Sequence, residues 1–110
     1  MDVYFKPRGW DVYGYYEGTY KDKSFIDFVT VITPHPTDDS TCIVGFAKGE
    51  LKHEMNTAIG QRCYKLGFTK MVFSRPIGKS ATRYSTFTHS SDGLDWYEVD
   101  LTLFAGTRDV

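Results

Sequence analysis

The chain carries almost no surplus charge: 13 Lys and Arg stand against 14 Asp and Glu, a formal net charge of −1. That balance excludes a phosphate-backbone binder, which needs a basic excess, and a nucleic-acid mimic, which needs an acidic one. No nucleic-acid partner is therefore expected. No apolar run approaches the ~18 residues of a membrane span, so no membrane partner is expected either. Cysteine is scarce, with only Cys42 and Cys63. Two thiols make no disulfide framework, and they read most simply as free core residues in a reducing compartment, with a single Cys42–Cys63 bridge as the alternative. Met1-Asp2-Val3-Tyr4 lacks the basic and then apolar run of a signal peptide. The expected location is cytoplasmic.

Catalytic motifs are missing too. His53-Glu54 would need a second histidine at position 57 to hold zinc, and Thr57 stands there. His35, His53 and His89 have no ligand spacing, and no metal site is expected. Gly78-Lys79-Ser80 would need a glycine at position 73 to cradle a triphosphate, and Phe73 stands there. Asp38-Asp39 read as solvated loop carboxylates. No catalytic residue can be named, and the leaning is away from an enzyme.

What is present is one domain, residues 1–110, with 105–110 as a tail. Aromatics reach 16%, which favours strands. The one sustained helical period runs from Gly49 to Leu66, where Leu51, Met55, Ala58, Ile59, Arg62, Cys63 and Leu66 recur at three- and four-residue steps. Gly49 is the expected N-cap, and Gly67 the left-handed residue that stops the helix with Phe68 folded onto Cys63. Gly60 in the middle should let another backbone approach or reflect no pressure for helix strength.

The rest reads as strands. Trp10–Glu17 alternates, with Trp10, Val12 and Tyr16 on one face and Tyr13 and Tyr15 on the other. Phe25–Thr33 is apolar on both faces, as in a central strand covered on both sides. Thr41–Phe46 follows, with Gly45 marking a bulge or a close approach. Phe68–Phe73 comes after the helix. Ala81–Ser90 and Asp95–Phe104 form a hairpin about Asp92-Gly93, the favoured pair for a type I′ turn. Its register sends Tyr84, Thr86, Val99 and Leu101 inward, and Phe87, His89 and Trp96 outward with Arg83. The fold class expected is α+β, a mainly antiparallel sheet of about six strands with one helix packed across one face.

The stretch Asn56-Thr57-Ala58-Ile59-Gly60-Gln61-Arg62-Cys63-Tyr64-Lys65-Leu66-Gly67-Phe68 resembles the last helix of the GNAT N-acetyltransferase superfamily, through Asn56, Lys65, Leu66, Gly67 and Phe68. Cys63 stands at that family's tyrosine position, and no stretch matches its glycine-containing pyrophosphate loop. The resemblance implies a shortened acyltransferase using acetyl coenzyme A. The residues taken alone point first to a non-enzymatic interaction protein without cofactor. Such a chain fits an accessory regulator or a phage-type inhibitor of a host protein, binding a protein partner or a second copy of itself. Its expected surface is Tyr13, Tyr15, Arg83, Phe87, His89 and Trp96, with Arg75 and Lys79 in a loop that could touch an anion or an acidic partner. A small-ligand pocket between helix and sheet is a third possibility.

Overall fold

The helix forms as α1, His53–Lys65, in the computed structural model, which describes residues 9–22, 25–78 and 84–105. Its end is written in the sequence. Leu66 is the C-cap, Gly67 takes φ 103°, and the Gly67 and Phe68 amides donate to the carbonyls of Tyr64 and Cys63. Those two bonds satisfy carbonyls that a helix end otherwise leaves open. Its start comes later than expected. Gly49 belongs to a strand, and its missing side chain is where the carbonyl of Asp27, the residue just before the neighbouring strand, passes. Lys52 therefore takes the N-cap position, and Glu50 and Leu51 lie ahead of the helix.

Six strands make one sheet: β1 Trp10–Gly14, β2 Phe28–Pro34, β3 Thr41–Gly49, β4 Lys70–Pro76, β5 Ser85–Ser91 and β6 Leu94–Asp100, in the order β1-β2-β3-β4-β6-β5. Four of the five pairings are antiparallel; β3 and β4 pair in parallel. The reason is α1, whose length carries the chain back so that β4 starts where β3 started. The class is α+β with a mixed, mostly antiparallel sheet. No described helix is long and apolar enough to cross a membrane.

The core forms on one sheet face. Ile32, Cys42, Met71 and Val99 cluster there with Cys63 of α1, Phe68 just after it, and Leu101 and Phe104. Leu101–Phe104 is a 3₁₀ turn, not the last part of a strand. The Asp100 carboxylate accepts from the Thr102 amide at 3.0 Å and the Thr102 hydroxyl at 2.6 Å, which caps the turn and ends β6 early. Phe104 then reaches α1 at Gly60. An added Cβ there would lie 2.6 Å from the Phe104 ring, so the glycine admits a side chain rather than a backbone. This contact also sets which helix face is inward: Gly60 and Cys63 are buried, Met55 and Ile59 are half-buried, and Ala58, Arg62 and Leu66 are exposed.

Both thiols are free and buried. The hydrogen bond to Cys63 holds the Cys42 thiol above the ordinary thiol range, and burial adds to it. Asp38 is more than a solvated carboxylate. It accepts from the Ser40 hydroxyl at 2.7 Å, the Thr41 hydroxyl at 2.8 Å and the Ser40 amide at 3.0 Å, and these bonds lower its pKa to about 2.

Two outcomes follow from these contacts. Gly60→Ala gains up to about 1 kcal/mol of helix propensity but forces the rigid Phe104 ring to move, which costs roughly 1–3 kcal/mol. Urea unfolding should therefore show a lower midpoint for the variant; a higher one would mean that Phe104 is not seated at Gly60. For Asp38 the folded pKa lies below the unfolded 3.8, so its contribution is present above pH 4 and is lost as pH falls toward 2. Asp38→Asn should flatten the acid limb of stability between those values, and an unchanged limb would show that the turn bonds do not form.

Candidate functional site

The hairpin turn forms as its residues dictate, with Asp92 at φ 56° and Gly93 at φ 77°. Ser91↔Leu94, Ser90↔Asp95 and His89↔Trp96 keep the expected register. Then Thr88 bulges out, its hydroxyl donating to the Trp96 carbonyl at 3.1 Å, and the pairing shifts by one. Phe87 now faces Tyr97, Thr86 faces Glu98 and Ser85 faces Val99. The bulge turns Phe87 to the opposite face from His89 and Trp96.

The expected aromatic patch is thereby divided. Phe87 meets Tyr97 edge-on at 5.8 Å, and Tyr97 stacks on Phe73 at 5.5 Å, a cross-strand row on the core-bearing face. His89 and Trp96 stack at 6.2 Å on the other face. Tyr13 is on that other face too, but across the sheet on β1, stacked on Tyr20 at 5.8 Å. Tyr15 lies just past the end of β1, and its phenol is raised by desolvation first and by Tyr20 and Tyr13 next. Tyr16 leaves the strand altogether; its hydroxyl donates to the Glu50 carbonyl and accepts the Lys52 amide, pinning the approach to α1. Arg83 and Lys79 fall outside the described residues. Arg75 sits near the end of β4, opposite Asp95.

A cleft that the strand patterns did not foretell lies between β3 and β4. The two strands pair only through Thr41↔Lys70, Cys42↔Met71 and Ile43↔Val72. Beyond that, β3 runs on to Gly49 and β4 to Pro76 with no described strand pairing between them. A bulge explains the divergence. Between Ile32↔Val44 and Thr30↔Ala47, β3 carries two residues, Gly45 and Phe46, where β2 carries Val31 alone. An extra residue bends the strand that holds it, here away from β4.

The space opened is about 370 Å³. Its floor is apolar, with Ile32, Val44, Ile59, Met71 and Phe73; its rim offers Lys48, Asn56, Ser74 and Arg75. The facing edges of β3 and β4 also present backbone N–H and C=O groups that a strand partner would normally take. The start of α1 borders the same space through Leu51 and Asn56, and no side chain caps it. Uncapped amides at a helix start favour an anion. Of the surface residues expected from the sequence, Arg75 belongs to this cleft; Gly45, Gly49, Leu51, Asn56 and Ile59, singled out for the strand and the helix, line it too. The sequence signal that could have found it was Gly45, but a glycine does not say which way a strand bends.

No protein-family model matches the chain, and no curated protein matches its sequence.

Proposed function

We propose that the chain binds an extended, amide-bearing small molecule along the cleft between β3 and β4, an acyl coenzyme A being the class that fits. The observation that supports this reading most is the divergence of two parallel strands after only three paired residues, at a bulge. A ligand built as a chain of amides supplies the hydrogen bonds that the absent strand would have made, and the pantetheine arm of coenzyme A is such a chain. Its acyl end would rest on the apolar floor. Its phosphates would face Lys48, Arg75 and the uncapped start of α1, where positive charge and free amides favour them. In this reading α1 is packed across the core-bearing face and closes the inner side of the cleft. The resemblance of Asn56–Phe68 to the acetyltransferase helix points to the same ligand class.

The reading is of binding. The described cleft lining offers hydroxyls, an amide and two cations, and includes no carboxylate, imidazole, thiol or phenol to move a proton at a transferred acyl group. The interaction-protein reading retains support from the exposed aromatics of the opposite face, Tyr13 and Phe46 above all.

Calorimetric titration with acetyl coenzyme A tests the cleft. Saturable binding is expected for the wild type. Gly45→Leu should weaken it at least tenfold, about 1.4 kcal/mol, with the melting temperature little changed. The substitution is mild for the fold, because a Cβ at Gly45 would meet only the Val31 carbonyl oxygen, at 3.8 Å. Absence of heat from the wild type, or equal binding by the variant, would overturn the reading.

A further inference from the structure

A second hollow lies on the core-bearing face of the sheet, between α1 and the edge strand β1. It measures about 330 Å³. Two residues line it and the cleft alike, Ile32 of β2 and Ile59 of α1. Ile32 is buried, and Ile59 is half-buried and packs on the same core. The pair stands between the cleft, with Val44, Met71 and Phe73, and the hollow, with Trp10, Val12 and Leu66. Register fixes which β1 side chains turn inward. Trp10 pairs with Ile32 and Val12 with Thr30, so both share the core-bearing face. Asp11 and Tyr13 alternate to the sheet's second face. Cys63 also borders the hollow, and its sulfur already accepts from the Cys42 thiol. Arg62 is exposed and carries its charge into water. The wall that remains is apolar.

We propose, building on the cleft reading above, that the ligand is an acyl coenzyme A with a long chain, which crosses between Ile32 and Ile59 and ends in the hollow beside β1. Chemistry selects the occupant. A polar molecule lodged there would leave its groups unpaired against an apolar wall. An alkyl chain has none to pair, and one anchored in the cleft by its coenzyme A end already lies beside the two isoleucines. Size agrees. Either space alone is at the small end of ligand pockets, and the two in line suit a longer molecule. Each methylene moved out of water should tighten binding by about fourfold. Val12 is then a specificity-determining residue, because it borders the hollow and is not part of the cleft lining.

Calorimetric titration of the full chain with acetyl, octanoyl and dodecanoyl coenzyme A, each below its micelle-forming concentration, decides it. Affinity should rise at least a hundredfold from acetyl to dodecanoyl, as about four well-buried methylenes would give. Val12→Phe fills the hollow; it should weaken dodecanoyl coenzyme A at least tenfold and leave acetyl coenzyme A as in the wild type. Should Val12→Phe not fold, Leu66→Trp at the exposed end of α1 serves the same purpose. Dodecanoate alone should bind at least tenfold more weakly than its thioester. Equal affinity along the series, or a gain that neither substitution reduces, would overturn the proposal and leave the cleft reading standing. Dodecanoate binding as tightly as the thioester would overturn it too, by assigning the hollow to a free acid. If no thioester binds at all, the cleft reading itself fails and this proposal falls with it.

Discussion

The sheet holds together through a parallel seam of three residue pairs. Thr41–Ile43 of β3 and Lys70–Val72 of β4 join β1–β3 to β4–β6, and nothing else in the described sheet does. Burial concentrates around this seam. Cys42 pairs with Met71 and Met71 with Val99, and Cys63, Leu101 and Phe104 close over them. The approach is pinned as well, with the Thr69 and Lys70 amides both donating to the Ser40 carbonyl and the Leu101 amide to that of Thr69. A seam this short needs such support, because parallel pairing contributes slightly less per residue than antiparallel pairing. It also leaves most of the facing edges free, and from that freedom comes the cleft. Stability and opening are thus two ends of one junction.

Local chemistry was readable where a few adjacent residues decide the outcome. Leu66-Gly67-Phe68 ends the helix because Gly67 can take positive φ, and Asp92-Gly93 makes the turn for the same reason. The presence of about six strands and one helix could be read from period alone. The start of the helix could not. Gly49 looked like a cap, but its role is set by Asp27, far away in sequence. Thr88 shows the same limit: the bulge depends on a hydroxyl reaching the Trp96 carbonyl, and a one-residue shift then changes the face of Phe87. The inward face of α1 was likewise set by Phe104, whose position follows from Asp100 capping a 3₁₀ turn.

The candidate site was the least legible part because it is made of a gap. Side chains announce themselves by type and spacing; two backbones that part company do not. Gly45 hinted at the bulge, yet the direction of the bend depends on β4 being parallel, which in turn depends on α1 carrying the chain across. The aromatic residues that did stand out are real surface features in part, with His89–Trp96 and Tyr13–Tyr20 stacked on the second face. They belong to a different question, what covers that face, from the question of what enters the cleft.

Amide hydrogen exchange along β3 and β4 tests the central claim, that the two strands are joined only at the seam and receive a ligand where they part. In the free protein the amides of 41–43 and 70–72 should be protected, while those of 44–49 and 73–76 that point into the gap exchange rapidly. With acetyl coenzyme A added, the second group should slow and the first remain as it was. Protection of 44–49 and 73–76 in the free protein would mean that the strands are zipped along their length, and rapid exchange unaltered by the ligand would mean that the open edges hold nothing of that class; either result contradicts the account.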